Sequence, residues 1–383
     1  MHEEIFKGLP ENFPTSVWDP EKPGLQVVWD STSTKTGMEC WQRYKLHCVD
    51  GWSTTLSKTD AEYGHAYGAG LEVFYKRVIE HGDTHDDALR HAILAALSDT
   101  WREDAPTLGA YIDVWRCLGT TKYRNRAGRA AKCPWSHKGK LFPAPGPHTC
   151  NCGSLTESLN AWFPDVAGKD RAALIRAIVW YTDDQKGAGL ATVSLPQADG
   201  TQRAMVEVPW AMPLAGGFWL MGWWDKVAAL GDEVFITDHK STKKTLNDDY
   251  FAQYNPNVQV SFYDPSGDLL RAAGIQYKGV MIEAAQMMVG GVRFASRVYT
   301  ISAARRAEFG HDLGRFFAEA VRNHATGHYP RNRAACFLCE FKRVCGAEPH
   351  ERPHILAEHY ERSRWNPIKR TREVLTEETA DGT

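Results

Sequence analysis

The stretch Gly222 to Ser241, GWWDKVAALGDEVFITDHKS, sets two carboxylates and an ammonium, Asp225, Asp238 and Lys240, into a run otherwise rich in β-branched and aromatic residues. Such a run reads as two strands. A two-residue loop at Gly231-Asp232, with glycine first, suits a type II′ turn. Residue 230 then pairs with 233, and Asp225 falls opposite Asp238. Opposed Cβ atoms lie ~4.5–5.5 Å apart. Lys240, two residues on, points to the same face. Like charges opposed on a half-buried sheet are unfavourable. A divalent cation offsets them, because carboxylate oxygens are the ligands Mg²⁺ takes. Protonation of one carboxyl is the other route. The plain alternative is an exposed strand end carrying ordinary charges.

An Asp after Gly-x-x on one strand, Gly222-Trp-Trp-Asp225, followed by Asp238-His239-Lys240 on the next, resembles the PD-(D/E)XK nuclease signature. The RecB-type branch of that family carries three further features. A Gln-x-x-x-Tyr motif matches Gln259 and Tyr263, which share a helix face at this spacing. Asp264-Pro265 is expected to end that helix early. A glutamate on the preceding strand matches Glu207 in AMVEVPW. A Gly-x-x-x-His motif is matched only in part by YGHAYGAGLEVFY: Gly68 holds the histidine position, and His65, one turn earlier, is the candidate in its place. The resemblance implies Mg²⁺ or Mn²⁺ held by Asp225, Asp238, Glu207, the carbonyl of His239 and His65. It gives Lys240 the attacking water and Gln259 and Tyr263 the DNA strand. Trp223 is a candidate for base stacking or for the core.

Nine cysteines, an odd number, and no apolar signal region argue against a disulfide framework. Close spacing of thiols in a reducing compartment suggests metal. Cys336-x2-Cys339-x5-Cys345, with Cys40 far upstream, resembles the 4Fe-4S staple of AddB-type and CRISPR-adaptation nucleases, where the cluster clamps both ends of the nuclease domain. Zn²⁺ accepts the same four thiolates. A second group lies in the middle of the chain: Cys133, His137, Cys150 and Cys152, with Cys117 upstream. It suits a structural Zn²⁺ with His137 or Cys117 as fourth ligand. Residues 121–140 hold seven Lys/Arg and no acid, including Lys122, Arg124, Arg126 and Arg129. That stretch reads as a solvated loop or as a phosphate-contacting arm.

These groups need a frame. The 383 residues, 43% hydrophobic and 24% charged, fit a folded protein of one large or two ordinary domains. No apolar run approaches the ~20 residues of a membrane span. Helices are expected at 31–48, 60–80, 85–101, 168–181 and about 303–325, with a short one after Pro256; strands are expected from 190 to 241, at 278–284 and at 293–302. The expected class is α/β: a restriction-endonuclease-like core with a central mixed sheet flanked by helices, a helical amino-terminal part and a Cys/His-rich insertion. The expected organisation is an extension over 1–30, a nuclease domain over 31–346, a basic insertion over 105–155 within it, and a charged tail over 347–383. The expected function is a cytoplasmic, metal-dependent deoxyribonuclease, an exonuclease on DNA ends in recombination, repair or end processing, with a helicase or recombinase partner by family analogy. The alternative is an inactive DNA-binding module of the same fold.

Overall fold

In the computed structural model, the predicted hairpin lies inside a seven-stranded mixed sheet. The structure describes residues 9–54, 59–100, 108, 110–117, 122–124, 130–132, 142–143, 156–163, 168–197, 199–363 and 366–368. The sheet strands are β1 (Val28–Trp29), β2 (Leu190–Thr192), β3 (Val206–Pro213), β4 (Trp219–Leu230), β5 (Glu233–Thr242), β6 (Tyr277–Met288) and β7 (Gly291–Tyr299). β4 pairs antiparallel with β2, β3 and β5, and parallel with β1. β5 runs parallel to β6, and β6 antiparallel to β7.

Helices α1 (Ser31–Glu39), α2 (Thr59–Glu80), α3 (His85–Thr100), α4 (Arg171–Ala188), α5 (Val258–Ala272) and α6 (Ala303–Thr326) cover the sheet. The parallel β5–β6 pair needs a crossover, and α5 supplies it. The side-chain period of two divides β6 between two cores. Val280, Ile282 and Ala284 pack with Phe262 and Leu270 of α5 and with Phe316 and Phe317 of α6. Ala285 and Met287 pack on the other side with Tyr67 and Leu71 of α2, Ala92 of α3 and Leu174 of α4.

Two sequence expectations change. The helix foreseen over 31–48 starts as read, with Asp30 accepting from Ser33 N at 2.8 Å, but breaks at Cys40, whose φ of −167° is extended; a short helix Trp41–Tyr44 and a π-helical turn Lys45–Val49 follow. The helix carrying Gln259 and Tyr263 runs on through Pro265 to Ala272. Burial of Phe262, Tyr263, Ser266 and Leu270 along one face outweighs the one hydrogen bond that proline deletes. Strands lie in and beside the insertion expected over 105–155: Ala110–Cys117 pairs with Thr156–Phe163 and with Phe142–Pro143, and Lys122–Arg124 pairs with Ala130–Lys132. Beyond residue 346, helix Arg352–His359 packs Leu356 against Leu46, Phe341 and Val344, and strand Tyr360–Arg362 pairs with Trp52–Thr54.

Gly267 on α5 faces the buried Tyr277 ring of β6 so closely that a Cβ there would overlap it. Gly267→Ala is therefore expected to cost about 1–3 kcal/mol through overpacking. A thermal melt checks this, and an unchanged midpoint would mean that the helix can shift away from the sheet.

Candidate active site

The β4–β5 hairpin has the register that the two-residue loop requires. Leu230 pairs with Glu233, Ala228 with Phe235 and Lys226 with Thr237. Gly231 carries a positive φ of 59°, as the first position of a type II′ turn demands. The ladder stops at Lys226–Thr237, one step short of Asp225 and Asp238.

There the two carboxylates take different partners. Asp225 Oδ2 accepts the backbone N–H of His239 at 2.9 Å. Asp238 Oδ1 accepts Gln259 Nε2 at 2.7 Å and the Tyr263 hydroxyl at 3.4 Å. Its Oδ2 lies 2.7 Å from Lys240 Nζ, a buried ion pair. Lys240 Nζ also donates to Gln259 Oε1 at 3.0 Å. Asn257 caps α5 by accepting from Gln259 N and Val260 N, which aims the first turn of the helix at β5.

Asp238 is 1% exposed, and its pKa is pushed up to about 6. Burial is the largest cause; Lys240 opposes it and Asp225 adds to it. Burial disfavours the Lys240 ammonium, but Asp238 and Asp225 outweigh that and hold its pKa above the ordinary lysine value. Burial, then the charges of Asp225 and Asp238, keep the Tyr263 hydroxyl well above its usual range.

Asp225 opens onto a cavity of about 530 Å³, lined also by Glu207, His65, Glu72, Trp223, His239 and Tyr263. Asp238 and Lys240 are not part of that lining; they sit behind Tyr263 and His239. The cavity forms where the strands lose their alternation. Trp224 Nε1 donates to Ser266 Oγ of α5, while Lys226, two residues on, reaches Tyr181 of α4 on the other face. Regular strands keep such residues on one face. On β3, Val206 and Val208 pair with Lys226 and Trp224 and bracket Glu207, whose φ of 48° lies in the left-handed region. Backbone strain of this kind costs about 1–3 kcal/mol and concentrates at functional sites.

His65 lines the rim but is 57% exposed on its side chain, and its Nδ1 lies 3.1 Å from Asp99 Oδ2. Trp223 is half-buried against the cavity. Among the described residues, no three His, Cys, Asp or Glu side chains converge tightly enough to hold a single ion. The residues present still fit a divalent cation in chemistry: Asp225 and Glu207 line the cavity, and the buried Asp238 carboxyl is close enough to Asp225 to feel its charge.

A network that the sequence reading missed lies on the α4 side of the sheet. Glu283 Oε2 is 2.8 Å from Lys226 Nζ, 3.2 Å from His239 Nε2 and 3.1 Å from the Tyr181 hydroxyl. Burial would raise the Glu283 pKa, but Lys226 and His239 overcome it and bring it to about 2. The signal was a charged residue inside each of two apolar strands, WLMGWWDKVAAL and YKGVMIEAAQMM.

Cys40, Cys336, Cys339 and Cys345 all line one cavity of about 280 Å³. Asn332 N donates to Cys40 Sγ, Asn332 Nδ2 to Glu39 O, and Gln42 N to Pro330 O, while Arg43 pairs with Glu340 at 3.1 Å. The two distant parts of the chain are thus stitched together around the thiols. Burial pushes the Cys339 and Cys345 thiols up, and both feel the Cys40 sulfur. Phe337 and Leu338, between two of these cysteines, are more than four-fifths exposed.

Cys117 is buried at the end of its strand. Cys133, His137, Cys150, Cys152, Arg126 and Arg129 lie outside the described residues, as do the side chains of Lys122 and Arg124. No described helix is long and apolar enough to cross a membrane.

The sequence profile described as the PD-(D/E)XK nuclease superfamily matches residues 143–346, more than half of the chain. No curated protein matches. A crystal structure described as a putative exonuclease from Eubacterium rectale is 10% identical, covers 87% of this chain and 93% of its own, and superposes with a TM-score of 0.40.

Proposed function

The chain belongs to the PD-(D/E)XK nuclease superfamily, and from that premise we propose that it hydrolyses DNA phosphodiester bonds with Mg²⁺ or Mn²⁺ held by Asp225 and Asp238. The observation that carries this reading is a 1%-exposed aspartate close enough to Asp225 to feel its charge, with a lysine, a glutamine and a tyrosine gathered on its carboxyl. A buried carboxylate beside a second one is costly unless a cation or a proton offsets the repulsion. The bound cation would polarise the scissile phosphate and lower the pKa of the attacking water. Asp225, Asp238 and the His239 carbonyl would hold it, with Glu207 across the cavity as a further carboxyl.

Lys240, kept as an ammonium by its two acidic neighbours, stabilises the charge that develops on the phosphoryl oxygens rather than removing a proton. Gln259 and Tyr263 orient the Asp238 carboxyl and the strand beside it. Trp223 offers an aromatic face at the cavity wall for a base. His65 is paired with Asp99, a departure from the RecB-type pattern. Exonuclease action on DNA ends, in repair or recombination and beside a helicase or recombinase, completes the proposal.

The four thiols are assigned to a 4Fe-4S cluster. They line one cavity, and thiolates are the ligands of such clusters, with Zn²⁺ as the alternative at the same four residues. Thiolate ligation of iron also suits a reducing cytoplasm.

The test is cleavage of end-labelled linear DNA with Mn²⁺ or Mg²⁺, and its loss on chelation. Lys240→Ala should lower the rate at least about 100-fold, the usual scale for a charge-stabilising group. Parental activity in that variant would reject the assignment.

The pH dependence follows from Asp238. Its folded pKa, about 6, is raised, so its contribution to stability is present below the unfolded value near 4 and is lost as pH rises through about 6. Cation binding needs the ionised form. The Mn²⁺ affinity of the DNA-free protein should be flat above pH ~6 and fall about tenfold per unit below it. Titration calorimetry at pH 5, 6 and 7 reads this directly, and a flat profile would show that Asp238 is not a ligand.

A further inference from the structure

The β4–β5 ladder ends before the carboxylates, so ordinary strand pairing does not set their separation. Beyond the last pair, β5 follows β6, with His239 beside Glu283 in parallel register. Lys226 follows Asp225 in sequence, and His239 follows Asp238. Both side chains turn to the α4 face and end on one oxygen, Glu283 Oε2, at 2.8 and 3.2 Å. Tyr181 closes the group: its hydroxyl donates to Glu283 at 3.1 Å, accepts from Lys226 at 2.8 Å and lies 3.0 Å from His239 Nε2. Lys226 is 1% exposed and Glu283 5%. The backbone of His239 then donates to Asp225, which joins the two strands once more on the cavity side.

We propose that Glu283 is a positioning residue, a single buried carboxylate that fixes the spacing of Asp225 and Asp238 by holding, from behind the sheet, the residue that follows each of them. The proposal rests on the nuclease reading above. A stabilising role alone is a poor account of this group. Buried ion pairs are commonly matched or bettered by apolar residues of the same size, because desolvation consumes the Coulombic gain. What an apolar pair cannot reproduce is a fixed point shared by a lysine on one strand and a histidine on the next. Groups that orient ligating residues typically govern metal affinity by 10–100-fold.

The experiment compares the parent with the Lys226→Met/Glu283→Leu double variant, by thermal melting and by Mn²⁺ titration of DNA-free protein. The expected result is a melting midpoint at or above that of the parent, with a Mn²⁺ dissociation constant raised about 10–100-fold. A parental dissociation constant in the folded double variant overturns the proposal. Should that variant fail to fold, His239→Phe decides. It keeps the Lys226–Glu283 pair and the ring packing against Tyr67 and Tyr181 but removes the Nε2 contact, along with the weaker 4.0 Å approach of Nδ1 to Asp225. A raised dissociation constant there supports the clamp, and an unchanged one refutes it. A parent that binds no Mn²⁺ and cuts no DNA removes the nuclease reading and this inference with it, an outcome distinct from a parent and variant that bind alike.

Discussion

Asp238→Asn is expected to abolish DNA cleavage, by about 10³-fold or more, while leaving the metal-free fold intact. Both halves of that result come from one observation. The carboxyl is buried beyond Tyr263 and His239, and its pKa is pushed up to about 6, so the fold tolerates its neutral form better than water does. Asparagine is the neutral isostere. It keeps an acceptor for Gln259 and Tyr263 and removes a charge that burial penalises. The remaining cost is Lys240, which loses its ion-pair partner but retains Gln259 and is 29% exposed on its side chain. A melting midpoint within a few degrees of the parent, together with lost cleavage and weakened Mn²⁺ binding, is the expected combination. A fully active variant would mean that the cation, if one is used, is held elsewhere in the Asp225 cavity.

The second large effect concerns the thiols. Cys339→Ala should eliminate bound iron and the absorbance near ~400 nm of a thiolate-ligated cluster. It should also lower the melting midpoint by about 6 °C. A cross-link from Cys40 to the 336–345 segment closes a loop spanning most of the chain. In the chain-entropy treatment even a 100-residue loop contributes about 4.7 kcal/mol, and each kcal/mol moves the midpoint of a chain this large by only about 1 °C. The Asn332–Glu39, Gln42–Pro330 and Arg43–Glu340 contacts survive the substitution, so the ends should loosen rather than detach. Metal analysis of protein purified without oxygen decides between about four irons and a single zinc per chain. Neither metal, with an unshifted midpoint in the variant, would remove the staple from the description.

Much of the site follows from spacing that is local in sequence. Gly231-Asp232 between two β-branched runs fixed the hairpin register, because a two-residue loop admits one pairing. The i, i+4 spacing of Gln259 and Tyr263 fixed that both would face the same partner, and both reach Asp238. The order of Cys40 and the three late cysteines suggested a closure between distant segments, and all four line one cavity.

What tertiary structure alone decided is equally specific. Sequence pairing brought Asp225 opposite Asp238, but the ladder ends before them and their carboxyls turn to different donors, a backbone amide and a helix face. The crossing of β3 and β4 between cores at Glu207 and Asp225 breaks the alternation on which every strand argument rests. His65 was placed on the right helix, yet Asp99, 34 residues away on α3, draws it aside. Pro265 was read as a stop because the cost of a proline is local, whereas the packing that outweighs it comes from β6 and α6. Glu283 lies 57 residues beyond Lys226 in sequence and meets it across the sheet. Local rules fix turns, faces and spacings, but a contact between residues far apart in the chain depends on the balance of the whole packed core, which no window of sequence contains.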